Sequence, residues 1–143
     1  MKDFRELKVW EKSHNLTLKM YKNTKSFPQH ELYGLTSQIR RSCASVPTNI
    51  AEGCSRSGDA ELNRFLNIAM GSANELEYLL LLSNELNLLS GPDYKEVSKE
   101  IMEIKWMLAG FIKKLKADRW LLIAVSFTLH NIFYISFRCR RGM

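Results

Sequence analysis

The sequence predicts an all-α protein that folds as an antiparallel up-down-up-down four-helix bundle. Apolar residues recur at spacings of three and four along four segments, which is the period of a helix with one buried face. Only 3 prolines and 7 glycines occur in the 143 residues, which is few for a turn-rich β fold. The connections between the segments are short, as they are between antiparallel neighbours in a bundle.

Composition predicts one soluble domain. A chain of 143 residues supports a single hydrophobic core, and 45% hydrophobic and 25% charged residues are ordinary for a globular protein. The three cysteines are scattered without a CxxC spacing, and we recognise no secretory signal peptide. We therefore expect reduced thiols, a cytoplasmic location and a bundle domain that spans residues 1–119.

The first predicted helix spans residues 3–25, with Asp3 as its N-cap. Its predicted core face consists of Phe4, Leu7, Trp10, His14, Leu18 and Tyr21. A basic stripe on another face consists of Arg5, Lys8, Lys12, Lys19 and Lys22. The stripe fits either a solvated lysine-rich surface or a track for nucleic-acid phosphates, because neighbouring lysines displace condensed counterions together.

The second predicted helix begins at Pro28, because a missing N–H is tolerated in a first turn, and it ends near Gly53. Its predicted core face consists of Leu32, Leu35, Ile39, Cys43, Val46 and Ile50. Pro47 interrupts the hydrogen-bond ladder and leaves the carbonyl of Cys43 without its usual donor, so we expect helix two to bend at Pro47.

A polar stripe lies roughly opposite that core face. It consists of Gln38, Arg41, Ser45, Asn49 and Glu52. We interpret it as assembly chemistry, a polar seam or subunit contact, because satisfied polar networks specify one arrangement. In this interpretation Arg41 pairs with Glu52 within or between chains, and Ser45 and Asn49 satisfy the backbone that Pro47 opens. A binding surface is the alternative.

The third predicted helix spans residues 59–89 and is capped by Ser57 or Asp59. Its predicted core face consists of Leu62, Phe65, Leu66, Ala69, Ala73, Leu76, Leu80, Ser83 and Leu86. Its apolar residues cover more surface than one internal face needs, so we expect part of this helix to contact another subunit.

The fourth predicted helix follows a turn at residues 90–93. Its predicted core face consists of Tyr94, Val97, Ile101, Ile104, Leu108, Phe111 and Leu115. Basic residues, Lys113 and Lys116 among them, load its last turns. They complement the negative end of the helix dipole, or they join the basic stripe of the first helix in one patch.

From Trp120 the chain changes to a hydrophobic run that ends in RCRRGM. We expect residues 120–143 to form an atypical hydrophobic and basic tail outside the core fold. Three alternatives stay open. They are a partner-bound, poorly ordered or locally packed extension, a β-hairpin that turns at His130-Asn131, and a membrane-associated segment at residues 121–137, near the short limit of a bilayer span.

Four segments resemble the four-helix-bundle proteins encoded in the intervening sequences of bacterial 23S rRNA genes, the S23 family. The segments are FRELKVWEKSHNL, FPQHELYGLTSQIRRSCASVPTNIAEG, FLNIAMGSANELEYLL and LAGFIKKLK. In the second, the motif positions hold Gln38, Arg40, Arg41, Ser45, Pro47, Asn49, Glu52 and Gly53. The resemblance implies a bundle that assembles into a homopentamer. It also points to the accessory variability determinant of diversity-generating retroelements, a basic pentameric barrel that binds nucleic acid and a reverse transcriptase.

The leading functional hypothesis is a non-catalytic oligomeric scaffold that binds RNA or a nucleoprotein. The candidate binding residues are Arg5, Lys8, Lys12, Lys19, Lys22, Lys113 and Lys116. A net charge of +6 fits a polyanionic partner, although half of it comes from Arg138, Arg140 and Arg141. The alternative is a protein-interaction or structural module without a nucleic-acid ligand. We expect no enzyme activity, cofactor or metal, because no histidine pair has metal spacing and no carboxylates have the register of a di-iron bundle.

Overall fold

Four α-helices make up most of residues 3–139. The computed structural model describes the backbone of residues 3–139 and the side chains of residues 3–118 and Leu121. The helices are α1 (Lys8–Asn23), α2 (Leu35–Ser55), α3 (Asp59–Glu85) and α4 (Gly91–Cys139). Short 3-10 turns occur at Phe4–Glu6, Thr24–Ser26 and Gln29–Glu31. Residues 3–139 contain no strand, so the predicted all-α class is confirmed.

The helices pack as a four-membered bundle around one core. Helix α1 packs against α2 and α4, and α3 packs against the same two helices. Residue pairs that join α1 to α4 run in opposite directions, since Lys12 contacts Glu103 and Lys19 contacts Glu96. The most deeply buried side chains come from all four helices and include Leu16, Met20, Ile39, Ile50, Leu66, Leu80, Ile101 and Leu108.

The predicted core face of the first helix is only partly correct, because Phe4, Leu7 and Trp10 pack partly buried against the core and the last two positions do not. Leu18 and Tyr21 are 50% and 44% exposed, whereas the side chains that α1 buries are Val9, Ser13, Leu16 and Met20. These four residues follow the same helical spacing on another face. A serine is tolerated there because the Ser13 hydroxyl donates to the carbonyl of Trp10 over 2.8 Å. Helix α1 therefore keeps a second apolar face toward solvent.

The chain enters α1 and α2 later than the sequence predicts. Asp3 does act as an N-cap, but its carboxylate accepts from the N–H of Arg5 in the 3-10 turn, and the extended Leu7 separates that turn from α1. Residues 28–34 form a 3-10 turn and its flanks before α2 begins. Leu32 lies in this connection and is 40% exposed, so its assignment to the core is wrong.

Gly53 holds α2 close to α3 and does not end the helix. Helix α2 continues to Ser55, and Gly53 is buried. A Cβ atom on Gly53 would lie 2.9 Å from the Cβ of Phe65 and 3.0 Å from Cδ1 of Leu62. Glycine is needed here because the two helices leave no room for a side chain.

The core faces predicted for α2, α3 and α4 are otherwise largely correct. From Leu35 to Ile50, every predicted apolar position of α2 is buried. In α3 the exception is Leu86, which is 53% exposed because the helix ends at Glu85. In α4, Tyr94 and Phe111 pack partly buried against the core. Pro47 lies buried inside α2.

Residues with positive φ angles form the turns before and after α3. Gly58, and neither Ser57 nor Asp59, occupies the N-cap position of α3, with a φ of 89° that favours glycine. Asn87 has a φ of 57° just after α3, where a left-handed residue commonly follows a helix. The Ser90 hydroxyl then lies 2.6 Å from Asp93 and accepts from its N–H, which caps α4.

Helix α4 continues through most of the predicted tail. Its backbone is helical to Cys139, so the β-hairpin alternative with a turn at His130-Asn131 is wrong. The side chains of residues 122–143 lie outside the described residues, and the predicted boundary at residue 120 stays a prediction. Among the residues that the structure describes, no helix combines the length and apolar character needed to cross a membrane.

Candidate nucleic-acid and assembly surfaces

The middle of the predicted basic stripe is neutralised by α4. The ammonium of Lys12 lies 2.9 Å from a carboxylate oxygen of Glu103. The ammonium of Lys19 lies 2.7 Å from a carboxylate oxygen of Glu96 and also bonds Glu100. Hydrogen bonds to Glu100 and then Glu96 raise the pKa of Lys19. Both lysines are charged, but their charge is already compensated within the bundle.

The ion pairs at the start of the stripe are more exposed to solvent. Arg5 lies 3.5 Å from Asp3, and Lys8 lies 2.8 Å from Glu11, with all four side chains largely exposed. The hydrogen bond with Glu11 raises the pKa of Lys8 and lowers that of Glu11. Exposed pairs of this kind add little to stability because water and salt screen them, so a phosphate can compete for the cation at little cost.

The remaining candidates have no acidic partner among the side chains that the structure describes. Lys22, Lys113 and Lys116 are exposed and take part in no ion pair there. The same holds for Lys25, Lys95, Lys99 and Lys114. The unpaired positive charge therefore lies mainly on lysines outside the predicted basic stripe, which includes only Lys22 among them.

These lysines lie toward two ends of the bundle. Lys22 follows the Lys19–Glu96 contact by less than one turn, beside the start of α4. Lys113 lies 17 residues beyond Glu96 on α4, about 25 Å at 1.5 Å per residue. Lys22 and Lys113 therefore lie at different ends of the bundle and do not share one patch. Lys113 and Lys116 are instead nearer to Arg5 and Lys8, because α1 and α4 run in opposite directions.

Part of the polar stripe on α2 forms a seam with α3 inside one chain. The hydroxyls of Ser45 and Ser72 lie 2.8 Å apart. The side-chain amide of Asn49 donates to the carbonyl of Ser45 over 2.8 Å and to its hydroxyl over 3.0 Å. This seam joins α2 to α3 at Ser72, beside the fully buried Ala73, where small residues allow close approach.

The charged ends of the stripe are not paired as predicted. Arg41 is 3.9 Å from Glu75 on α3, and Glu52 pairs with Arg56 one turn later on α2. Arg41 and Glu52 are separated by 11 residues, about 16 Å along a helix, which is too far for a contact within the chain. The pair between chains stays a prediction, and Gln38 is exposed.

Large apolar side chains on the surface were largely missed from the sequence. Tyr33 is 92% exposed, Trp106 71% and Tyr78 61%. Tyr78 lies on α3, which supports the expectation that this helix has more apolar surface than its core face needs. Trp106 was missed because a single tryptophan between two core positions gives no periodic signal.

His14 and Cys43, two side chains that could in principle take part in catalysis, are packed against neighbouring side chains of the bundle. His14 stacks on Trp10 with ring centroids 5.0 Å apart and an interplanar angle of 6°. Burial raises the pKa of the Cys43 thiol to about 11, which makes it a poor nucleophile at neutral pH. Among the described residues, no cluster of three or more His, Cys, Asp or Glu side chains is arranged to hold a metal ion.

Comparison with known proteins identifies relatives of the bundle. Residues 5–110 match the family described as 23S rRNA-intervening sequence protein. A crystal structure of a protein with unknown function from the S23 ribosomal protein family of Bacteroides thetaiotaomicron superposes with a TM-score of 0.68. The two chains are 27% identical, and the match covers 73% of this chain and 95% of that one. No curated protein matches the chain.

Proposed function

The chain belongs to the 23S rRNA-intervening sequence protein family, and we propose that it is a non-catalytic oligomeric scaffold that binds structured RNA or an RNA–protein complex. The proposed RNA contacts are lysines at the ends of the bundle. The family description connects these proteins to rRNA genes, and it names no activity. The proposal therefore depends on the distribution of charge on the surface.

The observation that carries it is the cluster of Lys113, Lys114 and Lys116. All three are exposed, lie within one turn of α4 and have no acidic partner among the described side chains. Grouped cations attract a polyanion because each phosphate contact releases a condensed counterion. Arg5 and Lys8, whose ion pairs are exposed and weak, lie toward the same end and extend the cluster.

Self-association is the second part of the proposal. Trp106 and Tyr78 are mostly exposed in the single chain, and exposed aromatic side chains of this size are enriched at protein interfaces. A homo-oligomer, a pentamer by resemblance to the family, would repeat the lysine cluster around its axis. Repetition raises the avidity for an extended RNA without any new contact.

A protein-interaction module without a nucleic-acid ligand is the second candidate. The observation that favours it is the pairing of Lys12 and Lys19 with α4 glutamates, since these lysines stabilise the bundle and are not left for phosphates. In that case the exposed aromatic residues would be the functional surface.

A filter-binding titration of the full chain with structured rRNA separates the two. With about three phosphate contacts, a rise from roughly 50 to 200 mM salt should weaken binding by roughly 20- to 40-fold. No binding at low salt, or an affinity that ignores salt, would contradict the RNA proposal and favour the protein-interaction module.

A further inference from the structure

A groove of about 450 Å³ opens between α1 and the first turns of α2. It combines aromatic, hydroxyl and guanidinium groups from three segments of the chain. Its principal lining residues are Tyr21, Tyr33, Thr36, Ser37, Arg40 and Arg41. The groove lies away from Lys113 and Lys116, which are near the other end of α4.

Two guanidinium groups give the groove a positive character. Arg40 lies 5.0 Å from the ring centroid of Tyr21, and its Nε donates to the Thr24 hydroxyl over 2.9 Å. This arrangement holds Arg40 in place while leaving it without a carboxylate partner among the described residues. Arg41 is 77% exposed at its side chain, and its carboxylate neighbour, Glu75, is 3.9 Å away. Both arginines can therefore take a further anion.

The first turn of α2 adds backbone donors to the same groove. Glu31 accepts from the N–H of Leu35 over 3.2 Å, and the N–H of Gln38 bonds the carbonyl of Gly34. The N–H groups of Thr36 and Ser37 lie between these two bonds, at the positive end of the helix dipole. A helix start with paired guanidinium groups favours a phosphate over a neutral ligand.

An unsatisfied hydroxyl provides independent evidence for a ligand. Thr36 lines the groove and is 2% exposed, yet its Oγ1 has no hydrogen-bond partner within the described structure. A buried hydroxyl without a partner is costly and therefore needs an explanation, such as a bound ligand. Because Oγ1 has almost no exposed surface in the single chain, a phosphate oxygen in the groove would accept its proton after the Thr36 side chain turns toward the groove.

We propose that this groove binds a nucleotide, with the phosphate at Thr36 and Arg41 and the base stacked on Tyr33. Tyr33 is 92% exposed, so one face of its ring is available, and aromatic stacking accepts every base. The inference rests on the proposed function and deepens it, because it names an unpaired nucleotide as the ligand. The source of that nucleotide is an RNA loop or end, or a free nucleotide.

Equilibrium binding of inorganic phosphate, AMP and a short single-stranded uridine oligonucleotide tests the assignment. Tyr33→Leu should lower the affinity for AMP and for the oligonucleotide at least fivefold and leave the affinity for inorganic phosphate unchanged. Tyr33→Phe should retain the affinity for all three ligands. Arg41→Ala should lower the affinity for all three ligands about tenfold. Arg64→Ala, which removes an exposed arginine from α3, is the matched control and should change nothing.

Thr36→Val separates a ligand contact from a structural role. Valine matches the shape of threonine and removes the unsatisfied hydroxyl, so the melting temperature should rise while phosphate affinity falls. Tighter binding of the oligonucleotide than of AMP assigns the groove to RNA, and the reverse assigns it to a free nucleotide. Both results support a nucleotide site.

Several results would overturn the assignment. The first is that no probe binds, and the second is that Arg64→Ala lowers affinity as much as Arg41→Ala does. The third is a change of native mass in Tyr33→Leu, which would make the groove a subunit contact.

Failure of the groove assignment can be told apart from failure of the proposed function. If structured RNA still binds with salt dependence while the groove variants have no effect, the scaffold proposal stands and the groove assignment falls.

Discussion

The hydroxyl of Thr17 on α1 lies 3.0 Å from the carbonyl oxygen of Cys43 on α2. Pro47 has no N–H, so this carbonyl lacks the donor that an uninterrupted helix would supply. Thr17 supplies it from the neighbouring helix, although its single proton is shared with the carbonyl of Ser13 at 2.8 Å. The gap in the α2 ladder is therefore closed by an interhelical contact.

Replacing Thr17 by Val should destabilise the bundle by about 1–2 kcal/mol. The change preserves shape but leaves the Cys43 carbonyl without a donor in a buried region. Urea unfolding monitored by circular dichroism measures the loss. Thr48→Val is the matched control, because the Thr48 hydroxyl bonds its own helix at an exposed position. Equal stability of Thr17→Val and the wild type would contradict this account of the Pro47 gap.

Gly53→Ala should destabilise the protein by about 1–3 kcal/mol, because its methyl group would press on Phe65 and Leu62 of α3. Gly71→Ala is the control. Gly71 lies inside α3 with open space around it, so alanine should be neutral or stabilise by roughly 0.5–1 kcal/mol. Thermal unfolding of both variants decides the point. A neutral Gly53→Ala would show that α2 and α3 can separate without cost.

Cys43 should resist alkylation in the native protein. Burial raises its pKa from 9.0 to about 11, so little thiolate exists near pH 8 and the sulfur is shielded. Because the folded pKa exceeds the unfolded value, the contribution of this group to stability is complete below about pH 9 and is lost as pH rises toward 11.

Two measurements check the Cys43 prediction. Peptide mass spectrometry after iodoacetamide treatment at pH 8 should show labelling only when urea is added. The difference in unfolding free energy between the wild type and Cys43→Ala should narrow between pH 9 and 11. Rapid native labelling, or a difference that stays constant with pH, is inconsistent with a buried thiol of raised pKa.

Trp106→Glu should lower the native mass if the exposed aromatic residues form a subunit contact. The side chain is 71% exposed in the single chain, so the substitution should leave the helical content unchanged. A large aromatic residue that is a hot spot of an interface contributes about 2 kcal/mol or more, so a buried charge at this position should disrupt the contact. Light scattering gives the mass, and Trp106→Phe serves as the conservative control. An unchanged mass would remove Trp106 from the proposed contact.

The sequence predicted the core faces of α3 and α4 best, because their buried residues keep a regular spacing of three and four along each helix. It failed in α1 because two faces carry apolar residues there. The larger residues, Leu18 and Tyr21, point to solvent, while Val9 and the small Ser13 face the core. A prediction from side-chain size selects the wrong face of α1, because the Ser13 hydroxyl can be buried when it donates to a carbonyl of its own helix. The choice depends on the neighbouring helices, which no single segment specifies.

The candidate site was predictable in composition but not in pairing. A helical wheel places Lys12 and Lys19 in one stripe with Lys22, but it does not show that glutamates of α4 lie opposite the first two. That information depends on the register of α1 against α4, across more than 75 residues of sequence. For the same reason the sequence did not show that Arg41 lies near Glu75, which belongs to α3.

The salt dependence of RNA binding by two double variants distinguishes the unpaired lysines from the paired ones. Lys113→Gln with Lys116→Gln removes two unpaired cations, whereas Lys12→Gln with Lys19→Gln removes two cations that α4 already compensates. We expect the first double variant to bind structured RNA about tenfold or more weakly and to reduce the salt slope by about 2, and the second to leave the slope unchanged. Equal slopes for both double variants, or a larger loss from the Lys12 and Lys19 pair, would contradict this expectation.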